Sequence, residues 1–350
     1  MGQLLPGDSD AYLVAVACPD ISELERAYVA DAMLQGQPAS GPYVERFERK
    51  FAAWQGYHHC VSACNGTAAL QLALAAMGIG AGDEVIVPSL TYAATAATVV
   101  HAGASPVFVD SGADGTLCAA DVARAITPHT RLVIPVHLYG VRAELEHIAD
   151  IGVPLLVDAA EGHGIDNGGH VAAYSFYANK IITTGEGGAV CCDDRELADR
   201  LRHLRNHAQT EYRYWHDAAG FNFRMSNMAA ALGCAQVERA DDMVARRFAI
   251  LEEYGKHANI APCDAPWVAR MICDDPLATA ERLSEARIET RRAFYPVHTM
   301  PPYRRYRYAG LGHSEGIGAT TLCLPLSSTL TEADVEIVCR AIGENCNGES

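Results

Sequence analysis

Apolar positions recur at helical spacing near the start of the chain, then give way to short apolar runs separated by helical stretches. Ile21, Leu24, Ala27, Tyr28 and Met33 share one face of a helix predicted over residues 21–34. A turn rich in Gly, Pro and Ser, from Gly36 to Pro42, leads to a second helix whose apolar face carries Val44, Phe47, Phe51 and Ala52. From His59 the period changes. Val61–Ala63, Glu84–Val87, Ser105–Val109, Leu132–Val136 and Pro154–Val157 read as strands. The first four lead into helices over Thr67–Met77, Tyr92–Ala102, Ala119–Ala125 and Ala143–Asp150. Strands alternating with helices imply crossover units, hence an α/β fold with a mostly parallel, doubly wound sheet flanked by helices. Ala172–Phe176 and Gly188–Cys192 bring that sheet to seven strands.

A helix over Glu196–His207 is followed by a long helical stretch from about Asn227 to His257, which reads as a connector. Beyond it the pattern is Trp267–Cys273, a helix near Ala278–Ala286, a basic-aromatic loop and a last helix over Glu332–Ile342. This predicts a large domain with its N-terminal segment over 1–243 and a smaller C-terminal α/β domain over 244–350.

Composition narrows the function. Of 350 residues, 49% are hydrophobic and 20% charged, as in a globular protein with a packed core. The formal net charge of −16 argues against binding to nucleic acid or to an anionic membrane, and an anionic substrate would need a local basic pocket. No apolar run reaches the roughly 20 residues of a membrane helix, and the apolar stretch Tyr12 to Cys18 follows acids rather than a basic leader. The 12 cysteines show no Cys-x-x-Cys spacing and read as reduced, buried thiols of a cytoplasmic protein. His58-His59 and His203/His207 lack converging acidic or thiolate partners, so no metal site is expected. Gly78-Ile79-Gly80-Ala81-Gly82 follows a helix and precedes a strand, the reverse of a dinucleotide-binding loop, and reads as a helix-ending turn.

The chemistry centres on Lys180, in Ser175-Phe176-Tyr177-Ala178-Asn179-Lys180 before a Gly-rich stretch, and on Asp158 at the end of an apolar strand. Alone, each reads as readily as a surface lysine in a turn and a helix N-cap aspartate. Together they suit pyridoxal 5′-phosphate (PLP): the lysine forms a Schiff base and the acid keeps the pyridinium nitrogen protonated. Gly66 and Thr67, where a strand turns into a helix, offer a phosphate cradle, to which Ser175 adds a hydroxyl. Tyr92 offers a ring to lie over the cofactor. Arg304 and Arg305, in the basic-aromatic stretch from Arg291-Arg292 to Tyr308, are candidates for a substrate's phosphates, and a solvated loop or subunit contact is the equal alternative.

In sequence order these motifs resemble the DegT/DnrJ/EryC1/StrS aminotransferases, PLP-dependent enzymes of fold type I that aminate nucleotide-linked keto sugars. The resemblance runs from Gly41-Pro42-Tyr43 through Asn65-Gly66-Thr67, Pro88–Tyr92, Pro135–Gly140, the Asp158 and Lys180 motifs and Gly220–Met225 to Phe294–His298 and Leu324–Ser327. It implies Lys180 as Schiff-base lysine, Asp158 as pyridinium partner, Tyr92 as stacking aromatic, and Gly66, Thr67 and Ser175 at the phosphate. It further implies Glu161 near the ring hydroxyl, Asn222 reaching the phosphate of a neighbouring subunit in a homodimer, and His298 near the sugar nucleotide. Asp158–Glu161, Ile182–Gly188 and Tyr295–Tyr303 look most like the perosamine synthase branch, which acts on GDP-4-keto-6-deoxymannose. The alternatives are a 3-amino sugar, another UDP or dTDP keto sugar or a cyclitol; a sugar dehydratase, whose relatives carry histidine in place of the lysine; or a non-catalytic regulator. The chain departs from its relatives at Gln37-Pro38-Ala39-Ser40, where many carry Trp-Ile-Ser beside the substrate. The implied reaction has two stages, with L-glutamate as donor and pyridoxamine phosphate as the intermediate form of the cofactor.

Overall fold

A computed structural model describes residues 12–309 and 312–346, so the ends of both expected domains, 1–11 and 347–350, lie outside the described residues. Helix α1 (Glu23–Leu34) starts at Ser22, which forms a capping box with Glu25, and α2 (Pro42–Gln55) ends on the left-handed Gly56. Then come β1 (His59–Ala63), α3 (Gly66–Ala76), β2 (Glu84–Pro88), α4 (Ala94–His101), β3 (Ser105–Val109), α5 (Ala119–Ala125), β4 (Thr130–Val133), α6 (Leu145–Ala149), β5 (Leu156–Asp158), β6 (Val171–Ser175), β7 (Gly188–Cys192) and α7 (Arg195–Arg205).

The seven strands form one sheet in the order β1-β7-β6-β5-β4-β2-β3. Two parallel bridges, Val133 to Leu155 and Val136 to Asp158, join its halves between β4 and β5. Among these strands only β7 runs against both neighbours, so the mostly parallel sheet expected from the sequence is present. Its central strands are covered on both faces, which is why Val85, Ile86 and Val87 are all fully buried and the sequence there shows no alternation. β4 ends at Val133, short of the expected Val136. Ile134 still donates its N–H to Ile86, while Pro135 has no amide proton to give.

The expected single connector helix is two helices, α8 (Asn227–Glu238) and α9 (Ala240–Gly255). Arg239 breaks them: its backbone leaves the helical region (φ −111°, ψ 3°), and its guanidinium pairs with Asp20 (2.7 Å) and Glu25 (2.8 Å). The side chains on either side face different cores. Ala230, Ala231 and Cys234 pack with Phe47 and Phe51, whereas Ile250 and Tyr254 join Met271, Leu283 and Val338. No Gly or Pro marks the break, so spacing alone reads through it.

The remaining elements are β8 (Ala269–Ile272), α10 (Pro276–Glu285), β9 (Arg291–Arg292), β10 (Tyr308–Ala309), α11 (Gly312–Thr320), β11 (Thr321–Leu324) and α12 (Glu332–Cys346). β8, β11 and β9 form an antiparallel sheet, while β10 returns to pair in parallel with β3. Val14 bridges to Ile288, so the start of the described chain packs on this second core. The expected division at 243/244 falls inside α9. No helix among the described residues is long and apolar enough to cross a membrane.

Candidate active site

The loops that follow the strands converge on a cavity of about 760 Å³, where doubly wound sheets commonly bind ligands. Its lining includes Gly66, Thr67, Tyr92, Asp158, Glu161, Ser175 and Lys180, seven residues that the sequence singles out.

Asp158 ends β5 and is 5% exposed. One carboxylate oxygen accepts the Thr95 hydroxyl proton (2.8 Å) and the other accepts the Ala160 N–H (3.2 Å). Burial pushes its pKa up, against the pull of those donors and of Lys180. Among the described residues no cation forms an ion pair with it, so the site holds a buried acid suited to a cationic ring nitrogen. Lys180 Nζ lies 3.8 Å from Glu161 and 4.1 Å from the centroid of the Trp267 ring. Burial lowers the pKa of its amine, while Glu161 and Asp158 act the other way. Glu161 accepts the Tyr139 N–H at 2.6 Å, and burial raises its pKa to about 7. Tyr139 adopts a left-handed backbone (φ 54°), uncommon for a side chain of its size, which aims that N–H at Glu161.

The phosphate cradle depends on close approach. Asn65 caps α3 by accepting the Ala68 N–H (2.8 Å), leaving the first turn facing Ser175. A Cβ on Gly66 would stand 2.7 Å from Ser175 Cβ, so only glycine lets the helix start and the end of β6 come together. A helix N-terminus beside two hydroxyls fits a phosphate dianion. Tyr92 is 62% exposed, its ring 5.8 Å from that of Phe294, and presents an open face within the cavity. These features fit pyridoxal phosphate: a buried acid, a buried amine, a cradle that a Cβ would fill and a free aromatic face.

The chain also brings in residues that the sequence did not flag for this site. Trp267, 8% exposed, donates its indole N–H to the Asn179 carbonyl (2.9 Å) and stacks on Tyr139, which stacks on Phe294. Arg247, 3% exposed, donates to the carbonyls of Pro266, Trp267 and Leu326, fixing the backbone that carries the indole. Thr95, one helical turn beyond Tyr92, also donates its backbone N–H to the Tyr92 carbonyl (3.2 Å). His163 donates to the Ser175 carbonyl and accepts the Ile182 N–H, tying both sides of the Lys180 loop together; burial lowers its pKa to about 3.

Four candidates lie off the cavity wall. Asn222 is exposed and bridges to Asn206. His298 shares a 2.6 Å hydrogen bond with Ser89, and its other nitrogen lies 3.4 Å from Glu315. Arg304 donates to the Thr299 carbonyl and Arg305 to the Tyr306 hydroxyl, both exposed. Arg291 and Arg292, from the start of the same basic-aromatic stretch, do line the cavity.

Residues 19–343 match the profile of the DegT/DnrJ/EryC1/StrS aminotransferase family. The chain is 38% identical to a GDP-perosamine synthase of Caulobacter vibrioides, over 96% of this chain and 99% of that protein. It is 42% identical to the dTDP-3-amino-3,4,6-trideoxy-alpha-D-glucose transaminase of Streptomyces venezuelae, over 65% of this chain and 63% of that one. Among solved structures, S. venezuelae DesV superposes with a TM-score of 0.87 at 34% identity, covering 92% of this chain and 94% of that one.

Proposed function

The chain belongs to the DegT/DnrJ/EryC1/StrS aminotransferase family, and on that footing we propose that it is a PLP-dependent aminotransferase that converts GDP-4-keto-6-deoxymannose to GDP-perosamine with L-glutamate as donor. The observation that carries this reading is the near full-length likeness to a GDP-perosamine synthase. The higher identity to a dTDP-3-amino sugar transaminase, over a shorter span, supports a second reading, amination of a dTDP-linked 3-keto sugar.

Asp158 would hold the ring nitrogen of the cofactor; Gly66, Thr67 and Ser175 its phosphate; Tyr92 its ring face; and Glu161 the side of its ring hydroxyl. Asn222, exposed and off its own cavity, would reach the phosphate in a second copy, making the working unit a homodimer. When bound, pyridoxal phosphate supplies an aldehyde that takes up the amino group and a ring that accommodates the electron pair left when a proton departs.

The protein's part is proton transfer, positioning and exclusion of water. Lys180, whose amine burial shifts toward the neutral form, would take the α-proton from glutamate and deliver it across the nitrogen to the carbon of the cofactor's aldehyde. In the second half-reaction the same amine moves a proton in the reverse direction, onto the sugar carbon that gains nitrogen. Thr95 and the Ala160 N–H favour the ionised form of Asp158 against its burial. The donor leaves as 2-oxoglutarate. The free cysteines among the described residues support a cytoplasmic enzyme.

Mass spectrometry of the product tests the reading. Purified holoenzyme supplied with L-glutamate and GDP-4-keto-6-deoxymannose should yield the 4-amino sugar, and K180A none. Amination of a dTDP-linked 3-keto sugar alone would select the second reading.

A further inference from the structure

A sugar nucleotide carries a diphosphate, and this chain has a formal net charge of −16. Long-range repulsion then has to be overcome by cations placed at the site itself. Among the described residues, the lysines and arginines that line the cavity are Lys180, Arg291 and Arg292, set against the acids Asp158, Glu161 and Glu186. Lys180 sits among the acids and is assigned to proton transfer. Arg291 and Arg292 are the wall cations left to meet phosphate.

Both come from β9, where Arg291 pairs with Cys323 and Arg292 with Leu322 of β11. Cys323, the partner of Arg291, also lines the cavity, and Arg292, which follows on the strand, is a lining residue as well. Arg292 forms no ion pair among the described residues, and Arg291 forms one, with Glu289. Arg291 Nη2 lies 3.4 Å from one oxygen of Glu289, whose other oxygen accepts the Val16 N–H at 2.9 Å. Arg292 donates one N–H to the Tyr295 hydroxyl (2.6 Å), and its guanidinium carbon lies 4.0 Å from the centroid of that ring. Tyr295 is 45% exposed. A guanidinium has five N–H donors, so both arginines keep enough to grip phosphate oxygens in bidentate fashion.

We propose that Arg291 and Arg292 clamp the diphosphate of the nucleotide-linked sugar, with Tyr295 presenting Arg292 and Glu289 presenting Arg291. This rests on the nucleotide-sugar reading above. It places the phosphate contact on β9 rather than on Arg304 and Arg305, whose guanidinium groups are turned to Thr299 and Tyr306.

The test is calorimetric titration of the holoenzyme with GDP and, separately, with inorganic pyrophosphate. R291A and R292A should each raise the dissociation constant for both ligands roughly tenfold or more, as loss of a charge-assisted hydrogen bond does. R292K should restore part of the loss. The KM for the GDP sugar should rise in parallel, while the KM for L-glutamate stays within about twofold. Unchanged GDP and pyrophosphate binding in both alanine variants would overturn the clamp. So would loss of binding in R304A or R305A instead, or a rise confined to the KM for glutamate. If the wild type binds pyrophosphate through these arginines but not GDP, the clamp stands and the GDP reading falls. If it binds neither while still accepting the amino group of glutamate, both fall.

Discussion

The indole of Trp267 lies against the amine of Lys180, with Nζ 4.1 Å from the ring centroid, and its N–H donates to the carbonyl of Asn179, the residue before the lysine. One side chain from the C-terminal part of the chain thus sets both the solvent and the backbone of the residue proposed to move the proton. The ring shields the amine from water, which favours the neutral base, while its quadrupole attracts the cation. Desolvation is the larger influence on Lys180, so opening this wall should raise the amine's pKa.

W267L is therefore expected to lower kcat about tenfold at neutral pH, and W267F, which keeps a ring but loses the donor, by less. The pH dependence of acetylation of Lys180 in the apoprotein, followed by mass spectrometry, should move to higher pH in W267L. An unmoved labelling profile would mean that the indole serves packing alone.

Thr95 orients the acid expected to face the ring nitrogen. T95V removes the hydroxyl proton from Asp158 while keeping the shape, leaving a buried carboxylate with one weak donor. Hydrogen bonds to charged groups contribute about 1.5–3 kcal/mol, so PLP affinity should fall by roughly tenfold or more, with T95S close to wild type. Equilibrium dialysis of the cofactor decides it.

Glu161 should make the apoprotein less stable at alkaline pH. Burial raises its folded pKa to about 7 from an ordinary value of 4.5. Between those values the folded state holds the proton more tightly than the unfolded chain, so stability is lost as pH rises through the window. The loss is on the order of 3 kcal/mol. His137 and His163, with pKa values lowered to about 4 and about 3, have the opposite slope below pH 6.5, which is why the comparison needs a variant. E161Q should match the wild-type melting temperature near pH 5 and exceed it by a few degrees at pH 8. A constant difference across that range would contradict the assignment.

G66A tests the cradle. Its new methyl meets Ser175 Cβ at 2.7 Å and Ser175 Cα at 3.2 Å, contacts that force the helix start and β6 apart. Destabilisation of about 1–3 kcal/mol is expected, with a larger proportional loss of PLP affinity than of stability in the apoprotein. Thermal melts with and without cofactor separate the two.

Much of this site is legible in the sequence because its parts are local. A lysine after a strand, an acid at a strand end and a glycine at a strand-to-helix turn each follow from which residues can occupy such corners, and their order supplies the resemblance. Trp267, Arg247 and Thr95 were not flagged for the site because their value depends on packing across elements distant in sequence. A tryptophan beside Pro266 carries no signal that it will reach Lys180. The break at Arg239 was hidden for the same reason, since the acids that turn the chain there, Asp20 and Glu25, lie far upstream. The basic-aromatic stretch supplies Arg291 and Arg292 to the cavity wall, and spacing does not tell these strand residues from the loop residues Arg304 and Arg305.

The most direct test follows the cofactor's absorbance through both half-reactions. PLP-loaded enzyme is converted to its pyridoxamine form with L-glutamate, freed of donor, and mixed with GDP-4-keto-6-deoxymannose, with dTDP- and UDP-linked keto sugars in parallel. Rapid return of the pyridoxal absorbance with the GDP sugar alone is the predicted result. Conversion by glutamate with no return from the GDP sugar would contradict the proposed substrate, and no response to glutamate would contradict the proposed donor.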